Sequence, residues 1–171
     1  MGLFDFLTGG SKPAPVGDRA TTPALRKALL AVNRDDAPFQ IRSGKREGVD
    51  LVAEWKIVDA AWYEVFAKAG IKRVFKILMK FDEASGQVRS VDQEFDVEWR
   101  VGVPHLTATA SAFRGQKWEN SYEAVYAFDK DDLHWGKVYS YRFKSDEMKK
   151  PLEAAAREAG WGWRGVAFGK L

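Results

Sequence analysis

Residues 71–101 read IKRVFKILMKFDEASGQVRSVDQEFDVEWRV. In the second half of this stretch Val91, Phe95, Val97, Trp99 and Val101 occupy odd positions, and Asp92, Glu94, Asp96, Glu98 and Arg100 occupy even ones. Side chains on a strand alternate between its two faces, so the pattern is that of a strand with one dry and one wet side. The first half repeats it, with Phe75, Ile77, Met79 and Phe81 against Lys76 and Lys80. Ser85 and Gly86 lie between the halves and allow the chain to reverse within residues 83–87. Setting Asp82 opposite Val88 places Phe75 opposite Phe95, Lys76 opposite Glu94 and Lys72 opposite Glu98. Aromatic pairs then meet on an inner face and opposite charges on an outer one, each pair contributing roughly 0.2–1 kcal/mol. A slip of one residue would turn the whole apolar set over, so burial is expected to hold this register.

The rest of the chain reads outward from this hairpin. Upstream, residues 39–42 and 49–58 are predicted strands. In the second of them Val49, Leu51, Ala53, Trp55 and Ile57 alternate with Asp50, Glu54 and Lys56. Asp59 is placed to cap a helix over 60–69 with Trp62, Val65 and Phe66 on one side, and Gly70 sits where a left-handed cap belongs. Further upstream Thr22 and Pro23 open a helix carrying Leu25, Leu29 and Val32 on one face. Downstream, residues 102–104 (Gly-Val-Pro) turn the chain into strands over 105–114, 120–128 and 137–144. Pro151 is expected to start a last helix closed by Gly160, and WGWRGVAFGKL ends the chain as a possible strand. Short connections between neighbouring strands favour an antiparallel meander. The expected class is α+β: a six- to seven-stranded antiparallel meander sheet, strongly curved or barrel-like, flanked by two or three helices.

Length and composition suit one domain. The chain has 171 residues, 46% hydrophobic and 30% charged, ordinary for a soluble globular protein. No apolar run approaches the length of a membrane-spanning helix, and MGLFDFL lacks the features of a secretory leader. The absence of cysteine rules out disulfides and thiolate metal sites and makes the cytoplasm the expected compartment. The domain reading is an apolar N-terminal segment and flexible linker over 1–20, followed by a single α+β domain over 21–171. Leu3, Phe4, Phe6 and Leu7 form an apolar cluster, and the Gly, Pro and Ser that follow form a tether. The net charge of +3 resides in the first 48 residues. That excess is too small to announce nucleic-acid binding.

No motif settles the chemistry. The run Gly160-Trp-Gly-Trp-Arg-Gly165 spells a dinucleotide fingerprint, but a helix precedes it where a strand is required, so it reads as a bend in a terminal strand. Residues 129–136 begin like a calcium loop but lack its third oxygen ligand and its glycine, and read as a polar turn. No metal-ligand pattern and no cofactor motif is present. Four groups remain as candidates. His105, His134, Glu94 and Asp96 could serve as acid or base groups if the fold brings them into a cavity. Trp55, Trp99, Tyr126 and Tyr141 could line a site for a planar or apolar ligand. Arg42, Lys45 and Arg46 surround a turn from which basic groups can reach an anion. Leu3, Phe4, Phe6 and Leu7 could dock on a partner or on a second copy of the chain. The acidic run from Asp92 to Glu98 otherwise reads as a solvated face balanced by Lys72, Lys76 and Lys80.

These features point to a non-catalytic binding or interaction domain whose tethered N-terminal segment docks on a protein partner or on its own copy. A small hydrolase or isomerase-like enzyme using the carboxylates or histidines is the alternative. Weak anion or nucleic-acid binding through the basic N-terminal region is a third.

Overall fold

A computed structural model describes residues 13–14, 16–57, 59, 62–68, 71–108, 122–127, 138–143, 145–166 and 171. In chain order the elements are α1 (Thr22–Leu30), β1 (Phe39–Ser43), β2 (Leu51–Trp55), α2 (Tyr63–Lys68), β3 (Arg73–Asp82), β4 (Gln87–Arg100), β5 (Val103–Ala108), β6 (Tyr122–Ala127), β7 (Val138–Phe143), α3 (Ser145–Glu158) and β8 (Gly162–Gly165). The α+β class holds. Strands β1 to β5 are antiparallel neighbours in sequence order, as a meander requires. The purely antiparallel, barrel-like form does not hold. The sheet stays open, and β8 pairs in parallel with the first residues of β4, making it a mixed six-stranded sheet. Helix α3 carries the chain back before β8 begins, and a helical crossover is what lets a strand return in the direction of its neighbour. Strands β6 and β7 pair with each other in a sheet of their own.

Cross-strand partners share a face of the sheet, so the registers sort the side chains. The first face carries Phe39 and Ile41, Leu51, Ala53 and Trp55, Ile77 and Met79, Val88 and Trp163, all buried. Helices cover it. Leu25 and Leu29 of α1 are one turn apart, and Met148, Leu152 and Ala156 of α3 repeat every four residues, so each helix turns one stripe to the sheet. Phe66 of α2 stacks edge-on against Trp55, which also meets Phe39 and Phe75 in T-shaped contacts. Each large side chain buried here contributes about 1.5–3 kcal/mol.

The central hairpin forms, in a different register. Its closing pair is Asp82–Gln87, one residue tighter than expected, so Val74 lies opposite Phe95, Phe75 opposite Glu94 and Lys76 opposite Gln93. The loop is shortened by Asp82, whose Oδ1 accepts the Ser85 N–H, and by Gly86 at φ +67°. Bonds from Ser85 hold the Asp82 carboxyl below its usual value. The one-residue shift separates the two apolar sets. Phe75, Ile77 and Met79 face the helices, whereas Val91, Phe95, Val97 and Trp99 face the opposite side together with Val74 and Leu78. Apolar side chains are buried on both faces, and that is what makes the shifted register stable.

Several boundaries move for local reasons. Thr22 is the first residue of α1, and Thr21 takes the cap position. α3 begins at Ser145, so Pro151 lies inside the helix instead of opening it. Gly160 ends this helix at φ +75°, with Gly160 N–H bonded to Arg157 O and Trp161 N–H to Ala156 O, the Schellman arrangement. The chain between β4 and β5 turns at Val101 and Gly102, leaving Val103 and Pro104 in β5.

Residues 14–22 are clamped to this corner. Ala14 N–H donates to Gly160 O at 2.9 Å, and Ala20 N–H to Ala159 O at 2.9 Å. Trp161 Nε1 donates to Ala20 O, and the Arg19 guanidinium lies over the Trp161 ring. Thr22 Oγ1 bonds to Glu83 Oε1 in the β3–β4 turn. Among the described residues, no helix is long and apolar enough to cross a membrane.

Candidate functional site

The second face begins with a charged cluster on β1, β2 and β3. The Arg42 guanidinium meets Glu54 through Nε at 2.7 Å and Nη2 at 3.0 Å, and Glu47 through Nη2 at 2.6 Å and Nη1 at 3.1 Å. Its remaining donor reaches Ser43 O at 3.0 Å. A guanidinium has five N–H donors, and all five are engaged. Lys76 Nζ lies 3.1 Å from Glu54 and 5.2 Å from the centre of the Phe95 ring, and Gln40 also donates to Glu54. Hydrogen bonding to Glu47, then to Glu54, raises the Arg42 pKa above its already high value. Hydrogen bonding from Arg42 lowers that of Glu47. At Glu54 burial pushes the carboxyl up, but the bonds from Arg42 and Lys76 outweigh it and hold the group low. The cluster is closed on itself. Of the three basic residues considered for an anion, Arg42 has its donors engaged internally, while Lys45 and Arg46 stand exposed in a single 3₁₀ turn.

The acidic ladder lies on the helix-covered face, not on an outer one. Asp92 is opposite Ile77 and buried, and its carboxylate is bonded to Lys149 of α3. Glu94, opposite Phe75, is 3.3 Å from Arg73 Nη1, and the same guanidinium reaches Asp96 at 3.3 Å. Glu98 pairs with Arg100 at 2.8 Å. The balancing cations are therefore Lys149, Arg73 and Arg100, in place of Lys72, Lys76 and Lys80. Burial fades along the strand, from Asp92 inside to Glu98 in water. His105 is exposed on β5 opposite Glu98, beyond the helices, so it is not brought together with Glu94 in a cavity. His134 lies outside the described residues.

The aromatic candidates divide in the same way. Trp55 is buried on the first face, while Trp99 belongs to the second and donates from Nε1 to Ile71 O at 2.8 Å. No one concavity is lined by both. Tyr126 and Tyr141 lie in the β6–β7 pair, Tyr126 opposite Tyr139 and Tyr141 opposite Ala124.

A surface absent from the sequence reading is the far end of β4–β5. β3 pairs with β4 only up to Asp96, so residues 98–105 extend past it as a two-stranded overhang. Its turn has Val101 at φ 52° and Gly102 at φ 76°. Positive φ at both central positions marks a type I′ hairpin, whose first position favours Asn, Asp or Gly. A β-branched residue there is strained. Val101 is also fully exposed, Val103 is 56% exposed and Leu106 37%. The signal for it in the sequence is the dipeptide Val101-Gly102 between two alternating runs, hidden by the adjacent Gly-Val-Pro turn pattern. Leu3, Phe4, Phe6 and Leu7 lie outside the described residues.

Compared with protein-family models, with curated proteins and with solved structures, the chain matches none.

Proposed function

We propose that this chain is a non-catalytic interaction domain, and that its apolar N-terminal segment docks on a protein surface while the α+β body holds the tether in place. The supporting observation is the clamp at residues 14–22. Two backbone bonds, the Trp161–Ala20 bond and the Thr22–Glu83 contact fix where the tether leaves the body. A tether fixed at one end raises the effective concentration of whatever it carries. The acidic groups considered for catalysis on β4 are engaged in ion pairs that tie strands and helix together.

The test is removal of residues 1–12 with the clamp retained. The shortened chain keeps its melting temperature but loses self-association in light scattering or retention of a tagged partner. Unchanged behaviour in both assays overturns the proposal.

A further inference from the structure

Independently of the docking role, we infer that the second face of the sheet carries an anion site at its β8 corner, built from Lys80, Arg89 and Arg164 and suited to a short chain of phosphates. The registers set Lys80 opposite Arg89 and Arg89 opposite Arg164, so three cations lie abreast on β3, β4 and β8. They share a face with Leu78 and Val91, because side chains two apart on a strand point the same way. Neighbouring strands lie about 4.8 Å apart, which puts the backbones of the outer two roughly 10 Å from each other. Like charges in direct opposition work against strand pairing. Among the described cross-strand pairs, no others set like charges opposite each other.

The other cations of this sheet meet carboxylates. Arg42 and Lys76 bond to Glu54, Arg73 to Glu94 and Asp96, and Arg100 to Glu98. At the β8 corner the nearby acids are engaged elsewhere. Asp50, which precedes β2 on the Lys80 side, gives its carboxylate to Arg26 and to the Phe81 N–H. Asp82, one pair nearer the turn, accepts from Ser85 N–H and also feels the charge of Arg89. Among the described residues, no Asp or Glu lies within ion-pair distance of Lys80 or Arg164, and both side chains are exposed. Lys80 Nζ donates to Leu171 O at 3.2 Å, so its ammonium already holds one oxygen acceptor here. Three cations against the carboxylate of Asp82 leave an excess of positive charge. A guanidinium fork takes two phosphate oxygens at once, and a lysine adds a point charge. A chain of two or three phosphates lies along such a row and meets all three groups.

The test is titration calorimetry of the full chain at low salt with sodium triphosphate, pyrophosphate and inorganic phosphate. Triphosphate should bind with Kd below about 1 mM, and inorganic phosphate more weakly. Lys80→Gln and Arg164→Gln should each weaken triphosphate at least about fivefold. Both should keep or raise the melting temperature, because each removes a like-charge opposition. Lys45→Gln combined with Arg46→Gln removes two equally exposed cations elsewhere and should leave the affinity within about twofold. Vesicles of phosphatidylcholine with phosphatidylinositol bisphosphate separate the two sources of such phosphates: retention that triphosphate competes away names a lipid headgroup, and no retention names a soluble ligand. No triphosphate binding at roughly 10 mM overturns the site, as does an equal loss in the Lys45 and Arg46 variant, which would mark general attraction to a basic protein. Equal affinity for phosphate and triphosphate overturns the assignment to a chain of phosphates.

Discussion

Lys149 and Asp92 show how much rests on single side chains. Both are nearly buried, and their contact spans the gap between α3 and the middle of β4. Removing one partner of a buried pair strands the other charge, at a cost of about 3–5 kcal/mol, whereas an apolar pair of similar volume is often as stable. Lys149→Met is expected to lower the unfolding free energy measured in urea by that amount, and Asp92→Leu added to it should restore most of the loss. The Arg42 cluster makes a pH prediction. Glu47 and Glu54 are held below their ordinary value of 4.5, so the folded state binds fewer protons than the unfolded chain in that range. Their stabilisation is complete above the unfolded value and is lost as pH falls through the folded ones. Urea midpoints measured from pH 7 into acid should therefore drop below about pH 5. The drop should be shallower in Arg42→Met, which starts about 1–3 kcal/mol less stable at neutral pH because the pairs are half-exposed.

At the scale of elements, α3 contains its own weak point. Pro151 sits in the helix interior, where its ring excludes the bond to the residue four before it. Pro151→Ala is expected to raise the melting temperature, with a gain of up to about 3 kcal/mol, as followed by thermal circular dichroism. Elements were well legible in the sequence wherever alternation or capping was strong. The Leu25 and Leu29 stripe, the strands β1 to β5 and the end of the last helix at Gly160 appear as read. What alternation could not supply was relative phase. Phe75 and Phe95 each belong to a clean apolar series, and pairing them was natural, but the loop decides which face each series takes. The Asp82–Ser85 bond shortened that loop by one residue. Val74, Leu78 and Val88, apolar residues standing in the charged phases, were the trace of a sheet buried on both faces. β8 was a possible strand, but its partner was not readable, because the Gln87–Gly162 pairing is parallel and joins residues far apart in sequence. Of the candidate groups, Arg42 was legible as a basic group beside a turn and Glu94 as one rung of an acidic run, but not the ion pairs they form with Glu47 and Glu54 and with Arg73. Their cations and anions came from other elements, which one strand's pattern cannot name.

The whole molecule places its two unusual features at opposite ends of its longest strand. Near Gln87 the N-terminal linker is bolted to the α3–β8 corner, and beyond Asp96 the β4–β5 ribbon stands free of β3. If the linker is part of the body, cutting into it must cost stability that cutting before it does not. Removing residues 1–12 leaves every contact of the clamp in place, so the melting temperature should match that of the full chain. Removing residues 1–20 eliminates the Ala14 and Ala20 bonds, uncovers Trp161 Nε1 and takes away the Arg19 cation above its ring. The two backbone bonds and the Trp161 bond contribute about 0.5–1.5 kcal/mol each, and the cation–ring contact adds about 0.5–1 kcal/mol. A loss of roughly 2–5 kcal/mol is expected for the longer deletion in urea unfolding. Equal stability of the two truncations would mean that the clamp positions nothing, and the docking role proposed for the N-terminal segment would lose its fixed point.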